Sequence, residues 1–313
     1  MNVKVNYFSE PVAANEINTV LYHDRCLDGA TAAFCAYLTL SGSAQYLACS
    51  YEDSSAIFEY AADKTLLFLD FSLKRAAFLK LQGLAKKVLV LDHHLTAQSE
   101  LQGLSNVHID LNKCGSSLAW RFFNPEKPQP KFIDYVEDVD LWRWQQKDSY
   151  YFSLGFYQYL KNNHFNFKTL LGIFSDEGIL RFISEGQQLY TTFENQLHKA
   201  CQQIVTVQIK YKNEKIVFGL IECQVKTLLN DIAVFALTNL EIDGLLLSYQ
   251  YKLSQNKFSL RRLRDNNKIS MNSIAERYSG GGHAHAASFF SNKMPQEVFY
   301  SIIDDFNHRH KTD

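Results

Sequence analysis

The most constraining feature of this chain is a set of short, wholly apolar runs spaced through its first hundred residues. Thr19-Val20-Leu21-Tyr22, Leu66-Leu67-Phe68-Leu69 and Val88-Leu89-Val90-Leu91 are each too short for a helix and lack polar alternation. A strand that is apolar on both sides must be buried on both faces. Helical stretches at 30–40, 73–84, 116–123 and 132–138 separate or follow these runs, and Gln45 to Ala48 reads as a further strand. Ser72 is placed to cap the helix from Leu73. Strands alternating with helices predict a parallel sheet covered on both faces.

Beyond the breaker-rich Asn124 to Pro130, a helical and aromatic-rich segment runs from Tyr150 towards Ile204. Its aromatic residues read as helix packing in preference to a base-stacking surface. The pattern then changes to strands at 204–210, 216–221, 245–251 and 257–263. Lys212-Asn213-Glu214 and Ser254-Gln255-Asn256 have lengths suited to hairpins. Helices are expected at 228–238, 271–278 and 295–308. The expected organisation is two α/β domains. Residues 1–183 form a parallel-sheet domain, 184–203 a connecting helix, and 204–313 a smaller mixed-sheet domain. The 313 residues suit two domains at about 150 each.

Composition narrows the function. Lys and Arg number 32 against 33 Asp and Glu, a formal net charge of −1. That excludes a basic coat for long nucleic acid. No apolar run reaches the ~18 residues of a membrane span, and the first twelve residues carry no secretory signal. A cytoplasmic protein is expected. Six cysteines without a C-x-x-C pair argue against a zinc ribbon or disulfide scaffold.

Acidic and imidazole side chains gather where the strands end. The first runs into His23-Asp24-Arg25-Cys26-Leu27-Asp28-Gly29, the second into Asp70, the third into Asp92-His93-His94. A lone Asp after a strand is ordinarily a turn or cap former. Three such segments at the carboxyl ends of parallel strands face one crevice and point to a metal site. Such a donor set suits Mn²⁺, Fe²⁺, Co²⁺ or Zn²⁺, and Asp70, standing alone, suits a bridge between two ions. In Val136-Glu137-Asp138-Val139-Asp140, Asp138 is the expected ligand and Asp140 a supporting or capping carboxylate. Far along the chain, Gly280-Gly281-Gly282-His283 follows a helix, and residues 250–268 carry six Lys and Arg against Asp265 alone. Together they suggest a phosphate clamp; a solvated hairpin face explains the basic residues equally well.

The set Asp28-Gly29, Asp70, Asp92-His93-His94, Asp138 and Gly280-Gly281-Gly282-His283 with Ala286-Ala287 resembles the DHH phosphoesterase superfamily, in the branch with the DHH-associated C-terminal domain 1. The resemblance spans nearly the whole chain. It implies an Mn²⁺-dependent hydrolase of phosphate esters, with two ions and in-line attack by a hydroxide that bridges them. By resemblance His23, Asp28, Asp70, His93 and Asp138 are metal ligands. Asp24, Cys26 and Asp92 are further candidates, and His94 contacts the scissile phosphate, making His94 and Asp70 the catalytic pair. Arg261, Gly280, Gly281, Gly282 and His283 bind substrate.

The implied activity is a phosphodiesterase on short oligonucleotides or linear dinucleotides. The alternatives are a phosphatase on bisphosphate nucleotides or other small phosphorylated metabolites, and a non-catalytic nucleotide sensor. A homodimer is left open. Many relatives carry aspartate where Cys26 stands, so this thiol either joins the metal or packs beneath it. Arg262 and Ser288 replace a frequent serine and glycine.

Overall fold

The computed structural model describes residues 7–8, 12–50, 54–211, 214–224 and 228–308. The chain divides into two compact units, residues 1–190 and 191–313.

The first unit is built on strands β1 (Thr19–His23), β2 (Gln45–Cys49), β3 (Thr65–Leu69), β4 (Lys87–Asp92) and β5 (Val107–Ile109), all parallel, in the order β2-β1-β3-β4-β5. Its helices are α1 (Leu27–Leu40), α2 (Arg75–Gln82), α3 (Leu95–Leu101), α4 (Gly115–Phe123), α5 (Lys131–Asp140) and α6 (Ser149–Asn162), followed by the long α7 (Asp176–Cys201). The apolar runs divide with a period of two, as strand geometry requires. Val20, Tyr22, Leu67, Leu69, Leu89 and Leu91 point to one core, shared with α1, α4, α5 and α6. Leu21, Leu66, Phe68, Val88 and Val90 point to the other, shared with α2 and the end of α3. Both faces of β1, β3 and β4 are buried, which is why these three central strands carry no alternating polar residues. Strand order reverses direction beside β1, because β2 lies on one side of it and β3 on the other. Open parallel sheets bind ligands above such a point.

Two local expectations fail. Ser72 caps nothing: α2 starts at Arg75 after Lys74, and Ser72 is buried before it. The connecting helix begins earlier than expected, at Asp176, because Ile179 and Phe182 of its first turns are needed in the core of the first unit.

The second unit contains β6 (Val205–Tyr211), β7 (Glu214–Glu222), α8 (Leu229–Asn239), β8 (Gly244–Lys252), β9 (Gln255–Arg261), α9 (Met271–Glu276), β10 (Gly281–Gly282), β11 (Ala286–Ser291) and α10 (Pro295–His308). The sheet is mixed, in the order β10-β11-β9-β8-β7-β6, with only β7 and β8 parallel. Phe218, Leu220, Leu246, Phe258, Leu260 and Phe289 form its core with Ile274 of α9 and Val298 and Ile302 of α10. The expected turn at Lys212-Asn213 lies outside the described residues. Among the described residues no helix is long and apolar enough to cross a membrane.

The phenylalanines of α6 are interior packing, while Tyr157 on the same helix is exposed. Phe152 and Phe156 of α6 are fully buried, and Phe156 lies 5.2 Å from both Phe132 and Phe182 between ring centroids. Phe156→Ala therefore leaves a ring-sized cavity, and we expect a loss of about 3–5 kcal/mol in stability by urea unfolding.

Candidate metal centre

Each strand end delivers one piece of the site. β1 ends on His23, and the backbone turns at once into α1 with Cys26 as its first flanking residue. This tight turn requires Gly29: a Cβ there would stand 2.3 Å from the carbonyl oxygen of His23. β3 ends one residue before Asp70, whose φ of +54° holds it in the left-handed region. Such a conformation costs about 1–3 kcal/mol and persists where neighbours enforce it. β4 ends on Asp92, and His93-His94 lead into α3.

Three groups of donor atoms result, each within 4.8 Å. They are Asp70, Asp92, His93 and His94; His23, Cys26 and Asp70; and Asp28, His93 and Asp140. Asp70 belongs to two groups, and so does His93. Asp70 Oδ1 lies 3.0 Å from His93 Nε2, and Oδ2 lies 3.3 Å from His23 Nδ1. The same His93 Nε2 is 3.3 Å from Asp140 and 3.9 Å from Asp28.

The charges crowd one another and shift one another's protonation. Burial raises the Asp28 carboxyl to about 7, helped by the neighbouring charges of Asp70 and Asp140. For Asp70 burial works in the same direction, but the imidazoles of His23 and His93 outweigh it and hold the carboxyl well below the usual range. Burial would lower His93, yet Asp140, Asp70 and Asp28 raise it to about 10. His94 is raised against burial by Asp92, and Asp92 is lowered against burial by His94, to about 2.

Asp28 and Asp92 also shape the site. Asp28 accepts hydrogen bonds from the backbone N–H groups of Gly115 and Ser116, the first turn of α4, where the helix dipole favours an anion. Gly115 permits this approach, since a Cβ would meet Asp70 Cβ at 2.5 Å. Nothing in the sequence pairs Asp28 with this helix; the run of small residues Gly115-Ser116-Ser117 before an apolar helix is the one signal that could have. Asp92 Oδ1 accepts from the His93 and His94 backbone N–H groups and lies 2.7 Å from His94 Nδ1. That carboxylate fixes the whole triplet.

The sequence expects Asp138 as ligand and Asp140 as support; in the structure it is Asp140, and not Asp138, that stands among the candidate donor atoms. Asp140 joins His93 and Asp28, whereas Asp138 turns away and accepts from the N–H groups of Gln145 (2.8 Å) and Gln146 (3.2 Å). Asp138 therefore caps the loop that leaves α5. Asp24 stays outside the donor groups, with its carboxylate 3.5 Å from the exposed Arg25. Cys26 is not packed out of the way: its sulfur joins His23 and Asp70. Burial pushes the thiol up, and three carboxylates nearby push it further. Glu137, which the sequence did not single out, accepts from Lys113, Arg143 and Ser117 and ties α5 to the start of α4.

In the second unit the glycines are not a loop. Gly281 and Gly282 form the edge strand β10, paired with Ser288 and Ala287. His283 opposes Ala286 through paired backbone hydrogen bonds, and Ala286 opposes Arg261, so His283 and Arg261 sit in one cross-strand row. Burial lowers the Arg261 guanidinium to about 10. Arg262 is a strut: its side chain donates to the carbonyls of Leu263, Arg264 and Ala284 and pins the turn after His283.

The structural comparisons agree on one architecture. A pGpG-specific phosphodiesterase from Vibrio cholerae superposes with a TM-score of 0.58 at 14% identity, covering 93% of this chain and 98% of that one. RecJ from Thermus thermophilus, in complex with Mn²⁺, gives 0.58 at 14% identity over 98% of this chain and 56% of RecJ. The DHH domain of PF0399, a member of the s1p family of ribosomal proteins, superposes with a TM-score of 0.57 at 14% identity over 93% of this chain and 87% of that one. The chain has the DHH phosphoesterase fold. No family model matches it. An uncharacterized protein of Acanthamoeba polyphaga mimivirus is 24% identical over 308 residues, 93% of this chain and 71% of that protein. In this DHH fold the donor groups stand at the carboxyl ends of β1, β3 and β4.

These donors fit divalent cations. Asp92 Oδ2 is buried and accepts no hydrogen bond among the described residues, a costly state that a cation relieves. Two predictions separate the residues. Asp140→Ala should weaken Mn²⁺ binding at least about tenfold by calorimetry, whereas Asp138→Ala should keep metal binding and lose about 1–3 kcal/mol of stability in denaturant titrations. Equal metal affinity in both variants would return the ligand role to Asp138. For Cys26→Ala, the affinity for Zn²⁺ and Co²⁺ should fall more than that for Mn²⁺, because a thiolate prefers the softer ions. Parallel losses for all three would make the thiol a bystander.

Proposed function

We propose that this protein is a metal-dependent phosphoesterase, and more narrowly a phosphodiesterase acting on short oligonucleotides or linear dinucleotides. One observation carries the reading: Asp70 is shared by two donor groups at the strand ends of a DHH fold, the arrangement a carboxylate between two cations requires. His23, Cys26 and Asp70 would hold one ion, and Asp28, His93 and Asp140 the other, with Asp70 Oδ1 beside them at 3.0 Å from His93 Nε2. Bound divalent ions would supply charge neutralisation at the phosphoryl oxygens and acidify water. The likeness to a pGpG-specific phosphodiesterase and to RecJ with Mn²⁺ supports this substrate class and metal.

The chain's own residues position the phosphate. Asp92 on His94 Nδ1 turns Nε2 away from the carboxylate and favours the protonated imidazole. His94 then donates from Nε2 to a phosphate oxygen, where negative charge grows during displacement. Asp92, itself buried, keeps the ring from rotating. In the second unit we assign Arg261 and His283 to the substrate's phosphates, since both lie in one row of the sheet and both offer donors.

A hydrolysis screen in Mn²⁺ tests the reading with short RNA, pGpG, adenosine bisphosphate and polyphosphate. Mononucleotides should be released from the first two. Inorganic phosphate alone would move the assignment to a phosphatase, and inactivity on every substrate would overturn it. Asp70→Ala should lose on the order of 10³-fold or more in turnover while its circular dichroism spectrum stays unchanged; substantial turnover at saturating Mn²⁺ would remove Asp70 from the centre.

A further inference from the structure

The β8–β9 hairpin closes the end of β9 opposite Arg261. Gln250 opposes Asn256 and Lys252 opposes Gln255, so Tyr251 is an extra residue in β8. A bulge of this kind twists a strand and redirects its side chains. The turn that follows sets Leu253 at the tip, where the Gln250 side-chain amide donates to the Leu253 carbonyl at 3.3 Å. Leu253 is 98% exposed. β11 reaches the same end: Ser291 opposes Asn256, and the Asn256 side chain donates to the carbonyl of Lys293 at 3.0 Å. That bond brings the chain entering α10 to the hairpin, with Met294 64% exposed.

Two exposed rings complete an apolar cluster here, Tyr251 and Phe290, with centroids 5.0 Å apart. Its charges are of one sign. Lys252 Nζ lies 5.4 Å from the Tyr251 centroid and Lys257 Nζ 5.6 Å from that of Phe290, and Lys293 precedes Met294. The sequence has no acid from Gly244 to Arg264 or from Arg277 to Gln296. Glu297, just beyond, is turned to the backbone, where Oε2 accepts from the Met294 N–H at 3.0 Å. A leucine left in water forgoes the main favourable contribution its side chain can make. Four apolar side chains at one protruding end call for a covering.

We propose that this end is a membrane-docking tip, which rests on the headgroups of an anionic bilayer and carries Leu253 and Met294 to the acyl boundary. Shape and charge select the occupant. A side chain as exposed as Leu253 projects beyond its neighbours, so a protein partner would need a pocket to receive it, whereas a fluid bilayer needs none. Two copies meeting tip to tip would set lysines against lysines. The composition matches the layers of a membrane surface. Leu253 and Met294 are apolar, Tyr251 has an apolar ring and a polar hydroxyl suited to the boundary, and the lysines bury their stems while their ammonium groups stay among anionic headgroups. Each lysine near such a surface strengthens binding about fivefold, and a buried leucine about ten- to 100-fold. Three lysines and one leucine together reach about 10³–10⁴, the reversible regime of a single myristoyl chain. Docking of this kind is peripheral and needs no spanning helix. It is independent of the phosphodiesterase reading.

Sedimentation of the full chain with extruded vesicles tests the tip. Vesicles of phosphatidylcholine with about one-third phosphatidylserine should carry the protein down at low salt, and pure phosphatidylcholine should bind it on the order of 100-fold more weakly. Lys252→Gln/Lys257→Gln/Lys293→Gln should lose a similar factor on the mixed vesicles. Leu253→Ser should lose about tenfold or more and keep the circular dichroism spectrum and sedimentation mass of the wild type. In Leu253→Trp, the tryptophan emission gained over the wild type should move to shorter wavelength on the mixed vesicles, which locates the tip itself at the bilayer. Equal binding to both vesicle types, binding to neither, or undiminished binding by Leu253→Ser overturns the proposal. So does an emission in Leu253→Trp that the vesicles leave unmoved. A lower sedimentation mass in Leu253→Ser also overturns it and makes the tip a contact between copies. Hydrolysis enters none of these readouts, so the tip and the phosphodiesterase fail separately.

Discussion

Everything at the first unit's strand ends depends on Asp70 being held between His93 and His23, at 3.0 and 3.3 Å. Two like charges about 4 Å apart repel by about 4 kcal/mol at an effective dielectric near 20. Asp28 and Asp140 approach the same imidazole, so the site carries several such repulsions in a largely dry crevice. Imidazolium offsets part of this. The result is a separation of roles, with Asp70 kept ionised and Asp28 raised to about 7. Carboxylates whose environments push their titrations apart mark a site built for charge rather than for stability.

The backbone has been arranged to permit that crowding. Parallel strands end side by side, so β1, β3 and β4 set His23, Asp70 and Asp92 at one level. Two glycines then remove the last obstacles. Gly29 lets α1 begin against His23, and Gly115 brings the first N–H groups of α4 onto Asp28. These helix donors stabilise a carboxylate that burial alone would neutralise. Glu137, with Lys113 and Arg143 about it, holds α5 against the start of α4 and so fixes the distance from Asp140 to His93.

Much of this was legible before the structure. Strands buried on both faces show as apolar runs, and a helix-covered parallel sheet delivers its ligands at strand ends, so Asp70 and the Asp92 triplet follow from pattern. The place of Asp140 among the donors, with Asp138 outside them, did not. The two residues are about 200° apart around α5, and either face was compatible with the apolar spacing. What decides is the chain beyond the helix, which brings the backbone of Gln145 and Gln146 back over Asp138. That return is set by tertiary packing and leaves no local trace. The glycines misled for a related reason. Three in a row suggest a flexible loop, yet Gly280 and Gly282 serve close contact, since a Cβ on either would strike β11 within 2.6 Å. Arg262, an unexpected residue beside Arg261, directs its donors to carbonyls of its own unit and so holds the turn on which His283 stands.

The two sheets differ in a way that explains why the candidate residues lie where they do. In the first unit both faces of the central strands are sealed by helices, and the side chains of β1, β3 and β4 are committed almost throughout to a core. Only the strand ends remain for chemistry, where side chains are few, rigidly held and close enough to share ions. In the second unit α8 packs against β8 on the face opposite the main core, where Leu245 and Leu247 are fully buried, and only toward the far end do Lys257 and Phe290 keep part of their surface open. Arg261 is where the second sheet comes nearest to the first in character: partly buried at a strand end, with one amino group on the carbonyls of Leu260 and Ala287. Anchored in that way, its guanidinium is a fixed donor rather than a mobile one, which is the property a phosphate clamp requires.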